Sequence, residues 1–398
     1  MTQTILRLNH KGEGVPETGA PIPRTLPNEV VEDGRIVTPS ADRVAAPCRH
    51  FKSCGGCAMQ HASDAFVADW KTDVVRLGLS ARGIETDIRP IVTSPAQSRR
   101  RATLHGRRTK KGAMVGFFGR GSDALIEVPD CKLLDPAIIA AIPMLEELTV
   151  AAASRKSTVG LVVTLSGSGL DIDVRDAKPL EPQSILEMSA LVERHKLARL
   201  SWDGEAVATR VPPFQIFGAG KVTLPPGAFL QATDHGQQAL SDAVRDILGD
   251  AKQVVDLFAG CGTFTLPAAE KAEVWALEGE ASLIAALDAG WRMATGLKKV
   301  KSETRDLFRR PLLPQELRKT DAVIIDPPRA GAEAQTIELA QSGVKRIAAV
   351  SCNPISFARD AKILIDGGYR LDWVQPVDQF RWSSHVELVA QFTKPHMG

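Results

Sequence analysis

At 398 residues the chain has room for two or three domains with substantial cores. Its hydrophobic content of 44% and charged content of 24% exclude a disordered or fibrous protein. Lys and Arg (49) nearly balance Asp and Glu (47), so a nucleic-acid surface, if the chain has one, must be local.

No run reaches the roughly 20 apolar residues of a membrane span, so no membrane partner is expected. The start, Met1-Thr-Gln-Thr-Ile-Leu-Arg7, has no basic segment followed by an apolar core, which points to a cytoplasmic protein. Nothing in the pattern demands an oligomer, and a monomer is expected.

Residues 1–46 are rich in Gly and Pro, with short β-like pieces at 4–8, 28–31 and 35–38, and read as a small N-terminal β module. Cys48-x5-Cys54-x2-Cys57 follows, then Gln60 and His61. Apolar residues at 66, 67, 70, 74, 75 and 77 predict an amphipathic helix over 64–78, able to pack on a later domain. The rest of a central domain, 47–233, is β-rich, with strands at 159–166, 170–175 and 197–202 and helices at 136–148 and 182–195. From residue 234 to the end, strands alternate with helices, beginning with a helix over 235–248 and strands at 253–257 and 273–277. That alternation means an α/β fold with a doubly wound parallel sheet.

Four cysteines, 48, 54, 57 and 131, supply thiolates whose spacing suits zinc or an iron–sulfur cluster and does not decide between them. Between them, Arg99 to Lys111 holds seven basic residues in thirteen. Such a run reads as a solvated hairpin or as a strand pair that grips RNA phosphates.

Val255-Asp-Leu-Phe-Ala-Gly-Cys-Gly-Thr-Phe-Thr265 joins a strand to a helix through a glycine turn, but is not the dinucleotide fingerprint. Asp256 within it would repel a pyrophosphate and suits a cationic ligand, whereas Cys261 reads as a packing residue. Glu278 ends the next strand, where a carboxylate can bind ribose hydroxyls, and Asp306 could face an adenine amino group. Together these read as a pocket for S-adenosylmethionine.

Asp321-Ala-Val-Ile-Ile-Asp-Pro-Pro-Arg-Ala-Gly331 is a buried strand stopped by prolines, with Asp326 and Arg329 at its end. Cys352 follows another apolar strand, in Ala349-Val-Ser-Cys-Asn-Pro354, and Glu387 opens the last one two residues after His385. A cysteine and a carboxylate beside a methyl donor suggest attack on carbon 6 of a uracil, methylation of carbon 5, and proton removal from carbon 5. Cys352 would be the nucleophile and Glu387 the base.

These motifs, with Cys-x5-Cys-Gly-Gly-Cys-Ala-Met-Gln-His61, make the chain similar to the bacterial RNA (uracil-5-)-methyltransferases from about residue 5 onward. It most resembles the iron–sulfur branch that forms 5-methyluridine in 23S ribosomal RNA. The resemblance implies a C-terminal class I methyltransferase domain, a central iron–sulfur domain and an N-terminal TRAM-type barrel, here shortened. It implies a 4Fe–4S cluster on Cys48, Cys54, Cys57 and Cys131. Gln231, Phe258, Thr263, Glu278, Asp306 and Asp326 would line the S-adenosylmethionine site, with Cys352 attacking and Glu387 deprotonating. Thr233 and Thr263 stand where relatives often carry Asn. A transfer-RNA enzyme and a non-catalytic iron–sulfur assembly factor that binds RNA are the competing readings.

Overall fold

The computed structural model describes residues 2–395. The N-terminal module is a five-stranded antiparallel sheet in the order Ile22–Pro23, Glu13–Pro16, Thr2–Leu8, Val30–Glu32, Arg35–Thr38. The sequence shows only three β-like pieces because Glu13–Pro16 carries Gly14 and Pro16, which read as turn, and Ile22–Pro23 is two residues long.

The middle of the chain forms a seven-stranded sheet in the order Leu125–Glu127, Ala113–Phe118, Arg101–Arg108, Thr158–Ser166, Gly169–Arg175, Arg199–Trp202, Glu205–Thr209. Helices Ile142–Ala152 and Pro182–Arg194 bury Leu145, Leu148, Met188 and Leu191 in the same core as Leu104, Leu161 and Ile172 of the sheet.

The third sheet orders Val300–Thr304, Glu273–Glu278, Gln253–Leu257, Ala322–Ile325, Arg346–Ser351, Glu387–Thr393 and Arg370–Asp378. The first five run parallel, as the alternating pattern predicts, but Glu387–Thr393 is antiparallel to both neighbours. It returns through the connection 379–386 without a crossover helix, which a parallel neighbour would require. Its amino end therefore lies at the same edge as the carboxyl ends of the parallel strands.

The structure divides the expected 47–233 block. Strands Asp87–Ile88 and Val92–Thr93 pair with Arg370–Asp378 and extend the C-terminal sheet. Helix Asp64–Ser80, capped by the Ser63 hydroxyl accepting the Phe66 N–H at 3.2 Å, packs against helix Pro354–Asp366 and that same strand. Hairpin Phe214–Phe217/Gly220–Thr223 lies on helix Ala281–Met293, with Phe217 and Val222 in the C-terminal core. Among the described residues no helix is long and apolar enough to cross a membrane.

Candidate active site

Strand Gln253–Leu257 is buried from Val254 onward, and the chain leaves its end through an abrupt turn. Phe258 (φ 63°), Gly260 (φ 55°) and Gly262 (φ 93°) all lie in the left-handed region. Gly262 is required twice over, because a Cβ there would sit 2.3 Å from Leu287 Cδ1. Phe258 pays for its conformation with about 1 kcal/mol or more of backbone strain and packs its ring 5.4 Å from that of Phe308. The Glu278 carboxylate closes the turn, accepting the N–H of Gly260 at 3.0 Å and of Glu280 at 3.1 Å.

Asp256 does not reach a ligand as expected. Strand alternation turns it beneath the turn, fully buried, where the Thr265 hydroxyl donates to it at 2.6 Å. Burial, with Asp326 and Glu278 nearby, pushes its pKa up to about 7.

The sheet edge opens on a cavity of about 900 Å³. Gln231, Phe258, Thr263, Glu278, Asp306, Asp326, Cys352 and Glu387 all line it. Asp306 already accepts the Phe308 N–H at 3.0 Å, and Cys261 shares the cavity wall while lying mostly in apolar core. Strand register explains the meeting of Cys352 and Glu387. Ser351 pairs with Leu388 across an antiparallel ladder, so the next position on one strand faces the preceding one on the other. Burial first, then Asp326, pushes Glu387 up to about 8, against a hydrogen bond from Gln379. Burial and Glu278 push Asp326 up to about 7. The Cys352 thiol is pushed up to about 11 by burial, Glu387 and Asp326, while Arg329 opposes them. His385 lies exposed at the rim, before the strand rather than on it.

The connection 379–386 is seated by residues that no motif marks. Lys71, fully buried in helix Asp64–Ser80, donates to Asp378 at 2.6 Å and to the Phe380 carbonyl at 3.1 Å. Arg381 donates to the Ser94 carbonyl at 3.1 Å and pairs with Asp64. Gln379, 1% exposed, donates to both Gln231 and Glu387. Nothing in the local sequence sets these residues apart from ordinary surface polar ones, since Lys71 stands beside Thr72 and Asp73 and Gln379 between Asp378 and Phe380.

The cysteine loop abuts this connection. The Trp382 carbonyl accepts the N–H of Ala58 at 2.7 Å and of Met59 at 2.9 Å, and Cys57 lines the cavity. Burial raises the thiols of Cys54, Cys57 and Cys131, that of Cys57 to about 12, and neighbouring cysteines, Cys48 among them, raise each further. The N–H of Gly56 donates to Cys54 Sγ at 3.3 Å and that of Leu133 to Cys131 Sγ at 3.5 Å. Among the described residues, no three His, Cys, Asp or Glu side chains are gathered as a site for a metal ion.

The basic run 99–111 is not a uniform outward face. Arg100 is buried and donates to the Gln231 carbonyl at 3.2 Å, Asp234 at 2.8 Å and Gln237 at 2.7 Å. Arg99 lines the cavity, its guanidinium 5.6 Å from the Phe380 ring centre. Lys110 and Lys111 remain exposed at the hairpin turn.

A family model described as tRNA (Uracil-5-)-methyltransferase matches residues 224–394. An uncharacterised RNA methyltransferase of Brucella suis is 43% identical, over 98% of this chain and 97% of its own length. One from Caulobacter vibrioides is 44% identical over 98% and 99%. The 23S rRNA (uracil(1939)-C(5))-methyltransferase RlmD of Shewanella baltica is 27% identical over 98% and 95%. In structure, the chain is similar to the Pyrococcus abyssi tRNA (uracil-54, C5)-methyltransferase solved with S-adenosyl-L-homocysteine. The TM-score is 0.77 at 20% identity, covering 98% of this chain and 99% of that one.

Proposed function

Because the chain belongs to the RNA (uracil-5-)-methyltransferase family, we propose that it methylates carbon 5 of a specific uridine in 23S ribosomal RNA. The observation that carries this reading is the register that sets Cys352 opposite Glu387 on one wall of the cavity. The family supplies the methyl donor, S-adenosylmethionine. Its fit rests on the cavity's acidic edge, because Asp326, Glu278 and Asp306 suit a sulfonium, ribose hydroxyls and an adenine amino group respectively. Gln231, Phe258 and Thr263 complete that wall. Bound there, S-adenosylmethionine supplies the methyl group to carbon 5.

The chain's own residues do the rest. Cys352 gives its proton to solvent and its thiolate adds to carbon 6; the carbon 5–carbon 6 π pair moves into an enolate, which makes carbon 5 nucleophilic. Its thiol is held neutral by burial and two carboxyl groups, so a cation in the cavity and Arg329 both favour the thiolate. After methylation, Glu387 removes the carbon-5 proton, the carbon 5–carbon 6 double bond re-forms and the carbon–sulfur bond breaks.

A second hollow, about 1080 Å³, supports an RNA path to this point. It runs between the N-terminal sheet and helix Asp64–Ser80 and ends at Cys352, sharing Arg329, Ser384 and His385 with the first cavity. Arg7, Lys11 and Arg82 along it can meet phosphates, and exposed Leu77 and Ile355 offer apolar surface to unstacked bases. Asp69 and Asp73 also line it, the latter paired with Arg76.

Cys48, Cys54, Cys57 and Cys131 would hold a 4Fe–4S cluster; the N–H donors at Cys54 Sγ and Cys131 Sγ suit thiolate ligands, and the loops would have to draw the four thiols together around it. Iron and acid-labile sulfide analysis of anaerobically purified protein tests this. Four of each per chain is expected, and one zinc per chain would refute it.

The reaction itself is tested with RNA carrying 5-fluorouridine, whose fluorine cannot leave as a proton does. The expected product is a denaturation-stable protein–RNA adduct that needs S-adenosylmethionine and vanishes in Cys352→Ala. Absence of that adduct from the wild type, with cofactor bound, would refute the mechanism. The 23S ribosomal RNA substrate of the Shewanella baltica relative favours ribosomal over transfer RNA.

A further inference from the structure

Gln379 is the first residue after strand Arg370–Asp378, and at 1% exposure its amide is almost wholly withdrawn from water. A polar group so buried is tolerated only where partners replace the water. Its nitrogen donates to two acceptors, Gln231 Oε1 and Glu387 Oε2, one for each hydrogen. Its oxygen accepts the backbone N–H of Thr233 at 3.4 Å. A backbone N–H can only donate, so this contact settles which end of the amide faces the carboxylate.

The amide has little freedom to move. The preceding residue, Asp378, is locked to Lys71 at 2.6 Å and accepts the Phe380 N–H at 3.0 Å. Thr233 is held on its other side by Ser94 at 2.8 Å, and Arg100 clamps the Gln231 carbonyl at 3.2 Å. Gln379 thus ties the wall assigned to the methyl donor to the carboxylate assigned to proton removal.

We propose that Gln379 is a positioning residue for proton removal: it grips Glu387 by Oε2 and leaves Oε1 to take the carbon-5 proton. This inference rests on the roles proposed for Cys352 and Glu387. In the step it serves, the carbon 5–hydrogen bond breaks and the proton passes to Glu387 Oε1. The electron pair left behind closes the carbon 5–carbon 6 double bond, and the carbon–sulfur pair returns to Cys352 as thiolate. An N–H aimed at Oε2 favours the ionised carboxylate, the form able to act as base.

The charged groups around Glu387 make that donor matter. Asp326, at the end of strand Ala322–Ile325, and Cys352, after strand Arg346–Ser351, both disfavour a second negative charge. Arg329 and His385 share the cavity wall with them. Gln379 supplies the hydrogen bond that opposes the two acids.

The test compares wild type with Gln379→Met, which keeps the length and loses the donor, and Gln379→Glu, which replaces it with an acid. Two quantities are read with unmodified 23S RNA: the pH profile of 5-methyluridine formation, and the fraction of enzyme in a denaturation-stable RNA adduct. In Gln379→Met the rising limb of kcat should move up by about one pH unit. The adduct should accumulate several-fold, with KM for RNA unchanged; Gln379→Glu should move the limb further. Should the Met variant fail to fold, the nearly isosteric Glu variant carries the comparison. Equal losses at every pH with no added adduct would mean a purely structural role and overturn the proposal, as would unchanged profiles. A wild type that makes no 5-methyluridine would instead remove the reading beneath it.

Discussion

Lys71→Met should be among the most damaging single substitutions outside the cavity. Lys71 and Asp378 are 0% and 1% exposed and 2.6 Å apart, joining helix Asp64–Ser80 to the start of the connection that carries Gln379 and His385. Burial pulls the Lys71 amine down from its ordinary pKa and Asp378 holds it up. Methionine keeps the unbranched stem but takes the cation away from the carboxylate, which retains the Phe380 N–H at 3.0 Å. Stranding a buried charge in this way costs about 3–5 kcal/mol. Spread over a C-terminal unit of this size, that is a fall in Tm on the order of 10 °C. The double variant Lys71→Met/Asp378→Asn removes both charges and should recover about half of the loss or more, a coupling of about 2 kcal/mol. Thermal melts followed by circular dichroism, with the full double-mutant cycle, give the numbers. A single variant that melts within about 3 °C of wild type would refute the reasoning. So would a double variant no more stable than the single.

Three further outcomes follow from the same geometry. Asp326 and Glu387 are pushed up to about 7 and about 8, and a sulfonium binds their ionised forms better. Affinity for S-adenosylmethionine, relative to uncharged S-adenosylhomocysteine, should therefore rise on the order of tenfold between about pH 6 and about pH 9, as calorimetry would show; a flat ratio would contradict it. Arg100→Met should cost about 2 kcal/mol or more of stability, through the lost bonds to Gln231 and Gln237, while leaving the salt dependence of RNA binding unchanged. Lys110→Ala/Lys111→Ala should do the reverse, lowering the slope of log Kd against log salt by about 1.5–2, or roughly 0.7–0.9 for each lysine, without moving Tm, and filter binding across a salt series separates the two.

The parts of this molecule legible from sequence are those that local physics writes in one stretch. Strand Gln253–Leu257 ends in a glycine turn because Gly262 has no room for a Cβ, and Asp326-Pro-Pro stops a buried strand wherever it occurs. Phe258, Glu278, Asp306, Asp326 and Cys352 gather because each ends or follows a parallel strand, a rule that needs only the strand ends. What stayed hidden depends on long-range pairing. Nothing local to residues 87–93 says which sheet they join, because their partner, Arg370–Asp378, lies almost three hundred residues later. The antiparallel return of Glu387–Thr393 is likewise set by its neighbours, though it is what brings Glu387 to Cys352. Asp256 shares its turn with ligand-facing residues but alternates to the buried side, and Arg100 sits in a basic run yet points inward. Charge alone does not say which way a side chain faces. Gln379 carried no motif at all, and its importance lies wholly in three contacts to residues far away in sequence or across a hairpin.

The central claim is tested most directly by methyl transfer from labelled S-adenosylmethionine to unmodified 23S ribosomal RNA and, in parallel, to unmodified transfer RNA. Nucleoside mass spectrometry identifies the product, with Cys352→Ala as the control. The account predicts 5-methyluridine in 23S RNA alone, abolished by the substitution. Product confined to transfer RNA would contradict the assigned substrate, and label on any atom other than carbon 5 of uracil would contradict the roles given to Cys352 and Glu387.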